Sequence, residues 1–241
     1  GNHVDLAIVI PVHNEAENIA PLLDEIQAVL GEHHGHDIIV VDDGSSDATA
    51  AALDACRSRI PHLQVLRHAD CRGQSAAIIS GVRAAQRDWI ATLDGDGQND
   101  PADISRLCEV IRSSPERVWL VNGYRRQRRD SWLKRLSSRI ANSVRSFVLG
   151  DRTPDTGCGL KVFRRSVFLQ LPRFDHMHRF LPALMQMQGG EVVSVEVGHR
   201  ERRRGQSNYG VHNRLWAGIV DLLGVLWLQR RALPTDDKEE D

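Results

Sequence analysis

Residues 6–15 read Leu-Ala-Ile-Val-Ile-Pro-Val-His-Asn-Glu. A near-continuous apolar run that ends abruptly in polar residues is the pattern of a strand buried on both faces, with its polar cargo at the carboxyl end. The pattern returns twice. Ile38–Val41 leads into Asp42-Asp43-Gly44-Ser45, and Trp89–Leu93 leads into Asp94-Gly95-Asp96-Gly97-Gln98. Leu63–Leu66 and Val118–Val121 are weaker strand candidates. Between them run helical patterns: Ile19, Leu22, Leu23, Ile26, Val29 and Leu30 at i, i+3, i+4 spacing, then Ala48–Leu53 with Asp47 as its cap, then the Ala-rich stretch Gly73–Arg87. Strand–helix alternation predicts an α/β fold with right-handed crossovers and a mostly parallel sheet. Ligands of such a sheet bind outside the carboxyl ends of its strands. Three polar clusters at three strand ends therefore converge on one crevice.

Composition narrows the class. The chain has 241 residues, 31 Lys and Arg against 32 Asp and Glu, and a net charge of −1. That balance speaks against a nucleic-acid binder, which is usually basic overall. No apolar stretch reaches the roughly 18 residues of a transmembrane helix. The first residues carry no charged-then-apolar leader, and Cys56, Cys71, Cys108 and Cys158 form no CxxC pair, so reduced cytoplasmic thiols are expected. The second half is less regular: a basic helical stretch at Ser131–Leu149, short strands at Leu160–Phe163 and Glu191–Val197, and an apolar stretch at Leu215–Leu228. We expect one domain over residues 1–210, a C-terminal amphipathic helix over 211–230 and a disordered acidic tail over 231–241.

Asp94-Gly95-Asp96 follows a buried strand and precedes Asp100-Pro101, a helix start. Mg²⁺ and Mn²⁺ take one or two carboxylates plus phosphate oxygens, and a tight turn would aim both carboxylates at one ion. Gln98 adds an amide oxygen. A haloacid-type phosphatase would need its nucleophilic Asp after the first strand, where this chain has Pro11-Val12-His13, and a dinucleotide-binding domain would need GxGxxG there.

Together, IPVHNEAENI, VVDDGSSDAT, RGQSAAIISG and LDGDGQNDP, in this order, resemble a family 2 glycosyltransferase of the GT-A fold. Gly123-Tyr124-Arg125, Lys134–Asn142, Asp155–Lys161 and Arg202–Ser207 are similar to the dolichol-phosphate mannose synthase branch and its bacterial polyprenyl-phosphate relatives. The resemblance implies a metal at Asp94, Asp96 and Gln98. It implies donor contacts from Pro11, His13, Glu15, Asp42, Asp43, Gln74, Asp94, Gly95, Arg202 and Ser207. Arg202 matches the arginine that clamps the donor diphosphate, suited to stabilising a departing phosphate. His13 either meets the nucleoside or is a solvent-facing loop residue. Asp155 stands where other members carry a catalytic base; a hydroxyl acceptor needs one, whereas an ionised lipid phosphate does not, and its role is left open.

Arg125 to Arg145 holds eight cations against one acid, Asp130. A solvated helix face is one explanation. The other is a surface for anionic headgroups, with Arg125, Lys134, Ser138 and Arg139 matching the family's acceptor-phosphate positions. The stripe Leu133, Leu136, Ile140, Val144 and Val148 would lie in the interface or on the core. Leu215–Leu228, bracketed by Trp216 and Trp227, spans only about 21 Å of helix and holds Asp221 midway; it reads either as an interfacial or docking helix or as one buried against the domain or at a dimer interface.

The expectation is an inverting, Mg²⁺- or Mn²⁺-dependent transferase. It would move a sugar from a GDP- or UDP-linked donor to polyprenyl phosphate, as a peripheral protein on the cytoplasmic membrane face or through a membrane partner. Rivals are a transferase using a sugar or protein hydroxyl, a nucleotidyltransferase and a non-catalytic nucleotide-sugar binder. Homo-oligomerisation is left open.

Overall fold

A computed structural model of the chain describes residues 4–31, 36–126, 132–201 and 211–231, with only the backbone for 132–135, 137–138 and 211–217. Among these residues one seven-stranded sheet is assembled from β1 (Leu6–Val12), β2 (Asp37–Asp43), β3 (Leu63–His68), β4 (Trp89–Thr92), β5 (Val118–Arg125), β6 (Lys161–Arg164) and β7 (Glu191–Val197). The strand order is β3-β2-β1-β4-β6-β5-β7. β1 pairs in parallel with β2 and β4, and β5 with β7; β6 alone runs antiparallel, between β4 and β5. Because β6 is reversed, its first residue, Lys161, lies beside Thr92, at the edge where β1, β2 and β4 end.

The helices are α1 (Ile19–Leu30), α2 (Thr49–Arg57), α3 (Gln74–Ala84), α4 (Ala102–Ser113), α5 (Trp132–Leu149), α6 (Arg165–Phe168), α7 (Leu181–Met187) and α8 (Val211–Arg231). Strand periodicity divides the core. Leu6, Ile8 and Ile10 of β1 pack with α1, α2 and α4 on one face, while Ala7 and Val9 pack with α3, α6 and α7 on the other. Continuous burial on both faces is the reason these strands read as unbroken apolar runs. Asp47 Oδ1 accepts the N–H of Thr49 at 2.9 Å, but the cap position falls on Ala48, which makes no side-chain capping bond. The helix itself begins one residue later than the sequence pattern suggests.

The C-terminal helix lies where the sequence places it: α8 runs over Val211–Arg231, 21 residues against the expected 211–230, enough for about 31 Å at 1.5 Å per residue. Length therefore does not disqualify it. Composition does: no described helix is long and apolar enough to cross a membrane. Val225 is buried in the second core cluster, with Leu222 and Leu226 beside it. The odd acid Asp221 pairs with His176 Nδ1 at 2.8 Å. Gln229 donates to the carbonyl of Leu149 at 2.9 Å, joining α8 to the end of α5.

Candidate active site

The β1 and β2 ends are laced together. His13 Nδ1 donates to the carbonyl of Asp43 at 2.7 Å. Asn14, at φ +54°, accepts the N–H of Ser46 on its Oδ1 at 2.8 Å and donates its own backbone N–H to Ser45 Oγ at 2.9 Å. Glu15 accepts from Asn18 Nδ2 at 2.8 Å and offers its N–H to Thr49 Oγ1 at 3.0 Å. Asp42 takes the N–H of Ser45 at 3.1 Å. Asp43 is fully engaged by the chain itself: His68 Nδ1 at 2.7 Å, the N–H groups of Arg72 and Gly73 at 2.8 Å each, and the Cys71 thiol at 3.4 Å. Burial opposes its charge, but the Arg72 N–H, His68 and the Gly73 N–H outweigh burial and hold Asp43 below the usual carboxylate range. Asp43 thereby fixes the turn that delivers Gln74.

Gln74 opens α3 and donates to Asp94 Oδ1 at 3.1 Å. Asp94 is seated from four sides. Its N–H goes to Asn99 Oδ1 at 3.0 Å, and Pro11, Thr92 and Lys161 share its pocket. Gly159 closes the floor, where an added Cβ would fall 2.4 Å from the Asp94 carboxyl atoms. Gly95 has a similar steric reason, since its Cβ would meet Val12 Cγ1 at 2.5 Å. The glycine between the two aspartates is thus a close-approach residue against β1. Burial, then the neighbouring Asp96 charge, push Asp94 up to about 6 against the pull of Lys161, Arg125 and Gln74. A divalent cation fits this pair: it would relieve both the repulsion and the desolvation. Among the described residues no group of three or more His, Cys, Asp or Glu gathers for a metal, so a cation here would complete its shell with phosphate and water oxygens. Asp96 Oδ1 accepts the Gln98 N–H at 3.0 Å, and the Gln98 amide donates to the carbonyl of Arg200 at 3.4 Å.

Arg200 is anchored between Glu25 at 2.6 Å and Asp100 at 2.8 Å, and Asn99 bridges to His199. The described chain thus reaches Glu201 alongside the Asp96–Gln98 turn. Arg202 and Ser207 lie outside the described residues, as do the side chains of Lys134 and Ser138. Arg139 is exposed on α5.

Arg125 and Asp155 form a two-pronged pair: Nε to Oδ2 at 2.8 Å and one terminal nitrogen to Oδ1 at 3.2 Å, with the Arg125 backbone N–H adding a third bond at 3.2 Å. Burial works against the Asp155 charge, yet the Arg125 guanidinium holds its carboxyl below the ordinary range. Arg145, counted with the basic segment, is buried instead, beside Asp151 at 3.3 Å and donating to the Thr153 carbonyl. The rest of the α5 stripe divides. Leu136, Ile140 and Val144 are exposed, Val148 packs on the core, and Phe147, which the stripe left out, is 90% exposed.

Three groups in the cleft escaped the sequence reading of site residues. Lys161 is buried and donates to the carbonyls of Thr156 and Cys158; its signal was a lone cation inside the apolar run LKVF. Gly159 was visible only as part of a motif. His178 gave no local signal, because its partner Ser75 Oγ, 2.6 Å away, is 103 positions distant. Burial, then Lys161 and Arg179, push His178 down to about 3. A base whose folded pKa is lowered binds protons more readily in the unfolded chain, so it contributes stability above its ordinary value of 6.5 that is lost as pH falls toward 3. Asp94 acts oppositely over about pH 4–6. Comparison with His178→Gln isolates the histidine: between pH 6.5 and 5 the wild type should lose about 2 kcal/mol more than the variant in urea unfolding. Parallel pH profiles would refute the neutral-histidine assignment.

A mostly parallel sheet with one reversed strand between β4 and β5 is the GT-A fold. Solved structures agree in fold. A mannosyltransferase from Pyrobaculum calidifontis in complex with GDP-Man and Mn²⁺ superposes with a TM-score of 0.66 at 19% identity, over 95% of this chain and 64% of that one. Glucosyl-3-phosphoglycerate synthase from Mycobacterium tuberculosis, with Mn²⁺ and UDP-Glc, gives 0.68 at 18% identity over 97% and 81%.

The chain belongs to glycosyl transferase family 2, whose sequence profile matches residues 7–171. It is 35% identical to dodecaprenyl-phosphate galacturonate synthase of Rhizobium johnstonii over 94% of this chain and 68% of that protein. It is 32% identical to undecaprenyl-phosphate 4-deoxy-4-formamido-L-arabinose transferase of Aeromonas hydrophila over 87% and 65%. The chain thus spans about two thirds of the length of these relatives.

Proposed function

We propose that this chain transfers a sugar from a nucleotide-diphosphate donor to polyprenyl phosphate with inversion at the anomeric carbon. The observation that carries this reading is the Arg125–Asp155 fork. Asp155 occupies the position where a hydroxyl acceptor would need a base, but a carboxylate held ionised by a guanidinium is a weak proton acceptor. A phosphate acceptor is already anionic and loses no proton. The polyprenyl-phosphate relatives support the same reading.

Asp94, Asp96 and Gln98 would hold Mg²⁺ or Mn²⁺, and a cation there would neutralise the donor diphosphate and its departing form. Gln74, Asn99 and Gly159 keep Asp94 in place. Pro11, His13, Glu15, Asp42 and Asp43 frame the nucleoside end, Asp43 through the turn it anchors. Gly95 lets the metal turn lie against β1. Arg202 and Ser207 are assigned to the diphosphate, and Arg125, Lys134, Ser138 and Arg139 to the acceptor phosphate. The chemistry needs positioning and preorganised charge more than proton transfer.

The lipid is met at a membrane surface. Leu136, Ile140, Val144 and Phe147 of α5 and Val220, Leu223 and Trp227 of α8 are exposed apolar side chains on two helices that pack together. Basic residues on α5 add attraction for anionic headgroups. Transfer from a panel of UDP- and GDP-sugars to undecaprenyl phosphate in detergent with Mn²⁺ is the direct test. A lipid-linked sugar phosphate is expected; products formed only on hydroxyl acceptors would overturn the reading. Phe147→Asp combined with Trp227→Asp should lower sedimentation with phosphatidylglycerol vesicles at least about fivefold at low salt. Unchanged sedimentation would remove these helices from the membrane face.

A further inference from the structure

The donor reading sets an order along the sheet edge. β2 and β1 carry the nucleoside end, β4 carries the carboxylate pair, and β6 follows. A donor whose diphosphate lies at Asp94 and Asp96 therefore turns its sugar toward the start of β6. A pocket opens there, with Gln74, Asp94, Lys161 and His178 in its wall. Two of these groups answer to the protein itself. Gln74 donates to Asp94; Lys161 donates to the carbonyls of Thr156 and Cys158 and faces the charges of Asp94 and Asp155. His178 is placed differently.

The turn that carries His178 is pinned at both ends. Ser75, buried beside Gln74 at the start of α3, accepts the His178 backbone N–H on its Oγ at 3.3 Å. The same Oγ lies 2.6 Å from His178 Nδ1. Two residues earlier, His176 takes a left-handed backbone at φ +64°, and its Nδ1 meets Asp221 of α8 at 2.8 Å. Met177, between the two histidines, is buried in the core.

The Ser75 bonds decide where the imidazole hydrogen sits. A hydroxyl has one hydrogen to give. Ser75 Oγ already accepts a backbone N–H, and Nδ1 is its only acceptor among the described residues. The hydroxyl therefore donates to Nδ1. Burial, then Lys161 and Arg179, keep a second proton off the ring. A neutral ring that accepts at Nδ1 carries its hydrogen on Nε2. Nε2 makes no bond to the protein among the described residues, and it is not one of the sealed-in polar atoms, so it opens on the pocket. The result is an uncharged N–H donor where the sugar lies. Sugar hydroxyl oxygens are uncharged acceptors, and such a donor pairs with one without adding an ion to the cleft.

We propose that His178 is a specificity-determining residue whose Nε2–H donates to a hydroxyl oxygen of the transferred sugar, and that Ser75 is the positioning residue that fixes its tautomer. This inference rests on the nucleotide-sugar reading of the same cleft.

The tautomer is tested by nitrogen-15 spectra of histidine-labelled protein near neutral pH. The ring signals that vanish in His178→Phe should show the hydrogen on Nε2, and Ser75→Ala should move them toward the other tautomer. Hydrogen on Nδ1 in the wild type would overturn the proposal, as would a tautomer that Ser75→Ala leaves unmoved. The sugar contact is tested by calorimetric titration of UDP-glucose, UDP-galactose, UDP-galacturonate and GDP-mannose with Mn²⁺, alongside UDP and GDP alone. For the nucleotide sugar that the wild type binds most tightly, His178→Phe should lose about five- to tenfold in affinity, while the matching free nucleotide binds within about twofold of wild type. Ser75→Ala, which keeps the ring, should lose part of the same affinity. An equal loss for sugar and free nucleotide, in a variant with the wild-type melting profile, would place His178 on the diphosphate and overturn the proposal. No loss for either would overturn it as well. Failure of every nucleotide sugar to bind the wild type would instead overturn the donor reading, and the His178 assignment with it.

Discussion

Asp94→Asn should reduce sugar transfer by at least about a thousandfold while making the metal-free protein more stable. The two effects have one cause. Asp94 is pushed up to about 6 by burial and by Asp96, so the folded chain holds its proton more tightly than the unfolded chain. For a carboxyl with a raised folded value, stability falls as pH rises through about 4 to 6, and the full penalty is present at pH 7. An amide of the same shape removes that penalty, worth about 3 kcal/mol. It also removes one of two carboxylates from the cation site. Thermal melts at pH 7 should show the variant melting above the wild type without metal, and only the wild type gaining stability with Mn²⁺. A variant that still responds fully to Mn²⁺ would place the metal elsewhere. Asp96→Ala should likewise abolish metal-dependent transfer with the fold intact.

Gly159→Ala should lower kcat/KM by about a hundredfold or more, although it adds a single methyl group. That methyl would stand 2.4 Å from three atoms of the Asp94 side chain, so the carboxyl must move. Asp94 is held by Gln74 and Asn99, and the added methyl displaces its carboxyl from that seat. The Mn²⁺-induced rise in melting temperature should shrink with the activity, while the metal-free melt changes little. Activity within threefold of wild type would mean that Gly159 does not seat Asp94.

Residue patterns made much of this architecture legible. A strand buried on both faces leaves an uninterrupted apolar run, and the polar residues that interrupt it mark the strand's end. Leu6–Val12, Asp37–Asp43 and Trp89–Thr92 were therefore visible, and with them the carboxylates they carry. α7 was less visible. Leu181–Met187 is buried almost all round, which leaves no amphipathic period to read. The polar side of α8 includes Asp221, which looks like an interruption until its partner His176 is known.

Sequence alone determined the α/β class, the crevice at the strand ends and the segregation of charge behind a net −1. These follow from local periodicity, which is written into neighbouring residues. The tertiary structure decided which charges are already spent on one another. Asp155 and Arg125 are 30 positions apart, Arg87 reaches Asp5 and Asp37 from 82 and 50 away, and His178 meets Ser75 across 103. Pairing at such separations depends on strand order and the reversal of β6, and no local pattern encodes either.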